Sequence, residues 1–233
     1  RDRLGGRTFS STFDGMPIEY GGTWVYNNQP FVWAEIERYG LQIEETPGAV
    51  PDAMHVIFSD GKRVTLDEAQ LNEAVAGWEI YTAAVRTIIP RPFDLLHNKE
   101  AAQEAGKVTA LNHLKSLKLT PLQYSFNEGM IELTANSSAD TASYLEMLRF
   151  YMLAGASFST FMDSIARYKL QNGTISLLEN MVADGAPDIR LSTPVKAVRD
   201  YGERVVVTLH TGDTISCKSV ISSLPMNTIA DVA

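Results

Sequence analysis

The spacing of hydrophobic and polar positions changes character twice along the chain. Residues 7 to 25 read as two short extended segments around Asp14-Gly15, followed by a tight Gly21-Gly22 turn. Pro30 suits the first position of a helix with Phe31, Val32, Ile36 and Tyr39 on one face and Gly40 beyond its end. Met54 to Phe58, the polar Ser59-Asp60-Gly61-Lys62, then Val64 and Leu66 predict a hairpin. From Asp67 to Thr87, the spacing of Leu71, Val75, Trp78, Ala83 and Arg86 predicts one long amphipathic helix, ended by Pro90 and Pro92.

Residues 97 to 120 are polar and weakly periodic, so a helix is expected only near Ala110 to Leu117, with mobile flanks. Thr120-Pro121 is a good helix start and Asn136-Ser137-Ser138 a good break. Further helices are predicted over Thr141 to Leu153, Phe158 to Tyr168, and from Asn172-Gly173-Thr174 to about Ala183. After Asp184-Gly185-Ala186-Pro187 the period becomes two. Val195 to Val198, Val205 to Val207 and Thr214 to Ser216, separated by Asp200-Tyr201-Gly202 and Thr211-Gly212-Asp213, predict a β-meander. An apolar strand at Val220-Ile221, ending at Leu224-Pro225, should follow.

The order is therefore β-rich, helical, then β-rich again. The reading that follows is an α/β chain of two domains, α+β in arrangement. Residues 1–50 and 184–233 would form one discontinuous domain, and residues 51–183 a mainly helical insertion. A substrate crevice would lie between them.

Composition narrows the function classes. The chain has 233 residues, 28 acidic against 20 basic, and a net charge of −8. That balance, with no basic run, argues against a nucleic-acid partner. No stretch approaches the roughly 18 consecutive apolar residues of a membrane helix, so a soluble, intracellular protein is expected. The single cysteine, Cys217, excludes an internal disulfide and reads as a packed thiol. His55, His97, His113 and His210 show no ligand spacing, so no metal site is expected. Asp67, Glu68, Glu73 and Glu79 read as a solvated helix face. The first methionine is Met16, and the apolar run from Asn227 to Ala233 lacks a cap or polar tail, so a fragment of a longer polypeptide is expected.

The densest chemical constellation is Arg1-Asp2-Arg3-Leu4-Gly5-Gly6-Arg7, with Gly21-Gly22-Thr23-Trp24 after it. Paired glycines let backbone approach a ligand and expose N–H groups, while Arg1 and Arg7 offer guanidinium forks suited to phosphate oxygens. The same residues also suit a solvated turn with surface arginines. No nucleophile elbow of the Gly-x-Ser-x-Gly kind occurs.

The identities of these residues carry a resemblance. Arg1 to Thr8, Glu19 to Val25, Gln29 and Arg38-Tyr39-Gly40-Leu41 resemble the FAD-dependent amine oxidases, the flavin monoamine oxidase family, with the fungal-type monoamine oxidases nearest. Phe161-Met162-Asp163, Tyr168-Lys169-Leu170 with Asn172-Gly173, Thr193-Pro194-Val195 and Ser222-Ser223-Leu224-Pro225 continue it in order, while residues 45–130 carry little of it.

The resemblance implies that residues 1–50 and 184–233 are an incomplete, Rossmann-like FAD-binding domain and that 51–183 are part of a helical substrate domain. It implies FAD as cofactor. Arg1, Gly5, Gly6, Arg7 and Thr8 would face the phosphates and ribityl chain, with Arg3 a structural salt-bridge residue. Gly21, Gly22, Thr23 and Trp24 would run beside the ribityl and isoalloxazine, and the Val195 backbone would meet the adenine. Met162 and Ala166 match positions lining the substrate cavity, and both also read as helix-packing residues. The implied partners are a small amine and dioxygen, with homo-oligomerisation left open. The family's Gly-rich phosphate turn, catalytic lysine and aromatic cage match nothing in this sequence, because Lys107, Lys169 and Lys218 sit in other motifs.

Two other readings remain at this point. One is a truncated, catalytically incomplete relative that binds FAD weakly or not at all. The other is a flavin oxidoreductase of the same superfamily acting on L-amino acids or carotenoids. An amino-acid substrate would require an arginine for its carboxylate, and none is identifiable.

Overall fold

Asp14 and Gly15, at φ 50° and 76°, reverse the chain between β1 (Phe9–Phe13) and β2 (Met16–Gly21), which pair antiparallel. A computed structural model of the chain describes residues 1–232. α1 (Pro30–Arg38) opens on the expected proline and closes at Tyr39, before Gly40 at φ 62°. β3 (Ile43–Glu45) follows, and β4 (His55–Ile57) and β5 (Arg63–Thr65) form the expected hairpin.

α2 (Glu68–Tyr81) starts on a reciprocal capping box of Asp67 and Gln70. The single helix expected to run to Thr87 is broken. The Thr82 hydroxyl donates back to the Trp78 carbonyl at 2.8 Å, and the chain restarts as α3 (Val85–Ile88). α4 (Lys99–Gly106) is a regular helix where a mobile flank was expected. Its buried positions are the small Ala102 and Ala105, which a search for large apolar residues overlooks.

α5 (Ala110–Ser116) is capped by Thr109, and α6 (Pro121–Ala135) by a Thr120–Gln123 capping box. Asn136, at φ 50°, ends α6 where the break was expected. α7 (Tyr144–Leu153) begins later than its periodicity suggests, because the Thr141 and Ala142 amides turn back onto the Ser138 carbonyl. α8 (Phe158–Ala166) stops short of Tyr168, which enters β6 (Tyr168–Leu170). α9 (Ile175–Gly185) is ended by Ala186 at φ 41° and then Pro187. The meander is present as β7 (Val195–Asp200), β8 (Val205–Leu209) and β9 (Thr214–Cys217), all antiparallel.

The strand expected at Val220-Ile221 does not form among the described residues. Residues 219–225 pair with no neighbour, and Ile221 is 96 % exposed. A strand without a partner has no ladder to hold it. The run expected from Asn227 is a short 3-10 turn, Met226–Asp231, and Ala233 lies outside the described residues.

Two compact units result. One comprises Arg1–Gly22 together with the chain from Gly173 onward, and the other Thr23–Asn172. Residues 23–50, expected to fold with residues 184–233, fold with the helices. Val25 bridges Tyr168, and β3 pairs with β6. α9, expected with the helices, folds with the glycine-rich opening.

The helical unit holds the larger core. Trp78, fully buried, stacks on Phe161 at 5.4 Å between ring centres and meets the edge of Tyr151 at 6.0 Å. α2 and α6 touch where Gly77 faces Gln123: a β-carbon on Gly77 would lie 2.7 Å from the Gln123 β-carbon. The other unit buries little more than Leu177, Leu209 and Thr174, and leaves Phe13, Met16, Tyr20 and Met226 exposed.

Candidate functional site

The opening segment of the first unit is a tight loop organised by Arg3. Its guanidinium donates to the carbonyls of Leu4 (2.9 Å), Thr8 (3.0 Å) and Gly6 (2.9 Å) and lies 4.0 Å over the Phe9 ring. Arg3 is therefore occupied internally, by carbonyl oxygens and the Phe9 ring and not by the salt bridge expected of it. Inside the loop the Thr8 amide donates to the Gly5 carbonyl at 2.8 Å.

Arg1 and Arg7 behave differently from Arg3. Arg1 is exposed and makes one long hydrogen bond to the Gly6 carbonyl, at 3.3 Å. Arg7 is exposed, and its side chain has no partner among the described residues. Ser192 donates its amide to the Arg1 carbonyl, at 2.6 Å, which joins the loop to the segment leading into β7. Val195, half-buried, opens that strand opposite Leu209. The structure thus joins the Arg1 backbone to the segment that leads into Val195.

The glycines divide by what surrounds them. A β-carbon at Gly5 would lie 2.4 Å from the Thr8 carbonyl oxygen, and one at Gly21 would lie 2.3 Å from the Arg7 carbonyl oxygen. Both are glycine because the protein's own backbone comes that close. At Gly6, φ 55°, the same test meets nothing within 4 Å, so the loop is open on that face. A phosphate could approach there beside the uncommitted Arg7. Gly22 abuts Thr8, whose Oγ1 would be 2.9 Å from an added β-carbon. An open apolar cleft of about 310 Å³, lined by Leu4, Gly5, Leu178, Met181, Val182 and Pro187, lies beside the loop.

Behind Gly21-Gly22 is a polar cluster to which the sequence reading gave no role. The Ser10 hydroxyl lies 2.7 and 2.8 Å from the two Glu19 oxygens, and Glu19 Oε1 accepts the Thr174 amide at 2.8 Å. The Ile175 amide donates to Ser10 Oγ at 3.2 Å, and the Thr174 hydroxyl donates to the Gly22 carbonyl at 2.8 Å. The signal was in the sequence: an acid just before a Gly-Gly pair, and a helix start with no acidic residue in its own first turn.

In the helical unit, Thr23 and Trp24 precede the buried Val25, and Trp24 is 40 % exposed. Val25 donates its amide to the Tyr168 carbonyl at 3.0 Å, and Tyr26 stacks on Tyr168 at 6.0 Å. The Tyr26 hydroxyl donates to Asp163 Oδ2 at 3.5 Å. Burial first, and then the Asp163 charge, raises the Tyr26 pKa above the usual phenol value.

Asp163 sits beside Met162 on α8. Met162 is half-buried against the core, and the Ala166 carbonyl accepts the Thr46 hydroxyl. Arg167 pairs with Glu45 at 2.7 Å and with Asp163 at 3.1 Å. The Trp24 segment and the α8 residues Met162 and Ala166 are thereby tied to one small sheet within this unit. Sequence reasoning missed Asp163 and Arg167 as the ties, since half-buried charges carry no periodic signal.

The remaining candidates are packing residues. Cys217 is half-buried in β9 and donates to the Val205 carbonyl at 3.5 Å. His113 stacks on Tyr144 at 3.7 Å between ring centres, and its Nε2 lies 3.1 Å from the Tyr81 carbonyl. Among the described residues no cluster of His, Cys, Asp or Glu could hold a metal ion, and no helix is long and apolar enough to cross a membrane.

Known proteins resemble the chain throughout its length. It is 41 % identical over its full length to pseudooxynicotine dehydrogenase of a Pseudomonas species, and 33 % identical over 98 % of its length to nicotine dehydrogenase of Pseudomonas putida. It spans 47 % of each of those two proteins, so it corresponds to about half their length. A solved structure of putrescine oxidase bound to putrescine matches the whole chain with a TM-score of 0.78 at 20 % identity, covering 53 % of that chain. The likeness shows a shared mixed α/β fold. A family model described as flavin containing amine oxidoreductase matches residues 1–232, and the chain belongs to that family.

Proposed function

We propose that the full protein is an FAD-dependent amine oxidase. The family match across residues 1–232, with an open Gly6 beside an unpartnered Arg7, carries this reading. Bound FAD would supply a two-electron acceptor, so that an amine is oxidised to an imine and dioxygen is reduced to hydrogen peroxide.

Arg1 and Arg7 would hold the diphosphate by charge-assisted hydrogen bonds, with Gly5, Gly6 and Thr8 giving close backbone contact. Gly21, Gly22, Thr23 and Trp24 would lie along the ribityl and isoalloxazine, and the Val195 backbone would meet the adenine. Met162 and Ala166 would line the amine's side, where apolar walls favour the neutral amine by penalising its ammonium form. The first unit would thus hold the nucleotide, and α8 would orient substrate and exclude water.

The relatives named for pseudooxynicotine and nicotine, at 41 % and 33 % identity, support an amine of that alkaloid class over a linear diamine such as putrescine. Both are named as dehydrogenases, which supports a second reading in which the electrons pass to an acceptor other than dioxygen. The test is the full chain with nicotine-type, monoamine and diamine substrates, assayed for peroxide and, in parallel, for reduction of an artificial dye. Peroxide with the alkaloid-type amines supports the oxidase, and dye reduction without peroxide supports the dehydrogenase. Silence in both assays with every amine would remove the amine assignment.

A further inference from the structure

Thr174 stands at the N-terminus of α9, where threonine ordinarily turns its hydroxyl inward to accept a backbone amide of the first turn. Here it does not cap the helix. Its hydroxyl donates outward to the Gly22 carbonyl at 2.8 Å, and Thr174 is 8 % exposed. The capping task falls to the β1–β2 hairpin instead. Glu19 Oε1 accepts the Thr174 amide at 2.8 Å, and Ser10 Oγ accepts the Ile175 amide at 3.2 Å.

The arrangement leaves no slack. A β-carbon on Gly173, at φ 76°, would lie 2.7 Å from Glu19 Oε1 and 2.9 Å from Ser10 Oγ. Because a trans peptide is planar, holding the Gly22 carbonyl also fixes the direction of the Thr23 N–H, opposite to Thr174. That N–H has no partner among the described residues.

We propose that Thr174 is a positioning residue for the cofactor: relieved of helix capping by Glu19 and Ser10, its hydroxyl fixes the Gly22–Thr23 peptide in the orientation that presents the Thr23 N–H to the flavin. The proposal rests on the reading that Gly21 to Trp24 run beside FAD. It differs from a purely structural role because the cap and the peptide tether belong to different side chains, and they can be removed separately.

The test compares Thr174→Val, Thr174→Ser and Ser10→Ala in the full chain. T174V removes the one hydrogen bond to Gly22, and S10A removes the Ser10 contacts to Glu19 and Ile175, so both lower the thermal midpoint of the flavin-free protein, S10A at least as much. Only T174V should weaken FAD binding, by about tenfold, and only T174V should speed amide exchange at Gly22 and Thr23. T174S, which keeps the hydroxyl, should restore both. T174V with wild-type FAD affinity and unchanged exchange at those amides overturns the proposal. So does equal loss of affinity in S10A, since that follows stability alone. If the unmutated chain takes up no FAD, the cofactor reading fails, and exchange at Gly22 and Thr23 alone then decides the tether.

Discussion

A β-carbon on Gly21 would lie 2.3 Å from the carbonyl oxygen of Arg7, so the end of the first hairpin and the arginine–glycine loop touch backbone to backbone. Neither partner can retreat as a flexible side chain would. Gly21→Ala is therefore expected to destabilise the protein by about 1–3 kcal/mol, the usual range for forced overpacking. Gly6→Ala meets no neighbour and carries only left-handed strain of roughly 1–2 kcal/mol. Urea midpoints of the two variants check this, with FAD affinity beside them. G6A should lose more affinity than its stability change explains.

The three arginines of the loop should separate cleanly. Arg3 makes three carbonyl hydrogen bonds and covers the Phe9 ring, so Arg3→Ala should lower stability by about 2 kcal/mol. Arg7 has no internal partner, so Arg7→Ala should leave the thermal midpoint of the flavin-free protein nearly unchanged. Differential scanning calorimetry distinguishes the two outcomes.

His113 gives the helical unit a pH dependence. Burial lowers its pKa below the free-histidine value of 6.5, and contact with the Tyr81 carbonyl only partly opposes that. The unfolded chain then binds more protons than the folded one just below pH 6.5, so stability rises with pH through that window. The contribution is present above pH 6.5 and is lost as pH falls toward the lowered folded value. Thermal midpoints between pH 7 and pH 5 should fall in the wild type, with a flatter slope in His113→Gln.

Much of the fold was legible where the chain punctuates itself. Thr120-Pro121 and Asn136 bracket α6 because capping chemistry and a left-handed stop are local properties. The β7–β9 meander followed from period-two valines and glycine turns. What failed depended on neighbours. The Thr82 break needed a side chain turning back on Trp78, α4 buries alanines in place of large apolar residues, and Val220-Ile221 finds no partner strand among the described residues.

The candidate site was legible to a similar degree. Arg1 and Arg7 came from residue type and spacing, and the structure leaves them exposed at the loop while Arg3 is occupied. The Glu19–Ser10–Thr174 cluster was not foreseen. It joins positions far apart in the chain, and no periodicity connects them.

The capping box of α6 offers a smaller test of the helical core. The Thr120 hydroxyl accepts the Gln123 amide at 3.3 Å and donates to Glu73 on α2 at 2.6 Å. Thr120→Ala should cost about 1 kcal/mol for the cap. Thr120→Ser keeps both contacts and should recover most of it. Chemical denaturation of the two variants is the measurement.

The central claim is that the loop from Arg1 to Arg7 grips a dinucleotide's diphosphate. The most direct measurement is equilibrium binding of FAD and of riboflavin, which lacks phosphate, to the wild-type full chain and to Arg7→Ala. The wild type should prefer FAD, and R7A should lose about tenfold or more of that preference while binding riboflavin as before. Equal affinity for both ligands in the wild type, or an FAD preference untouched by R7A, would contradict it.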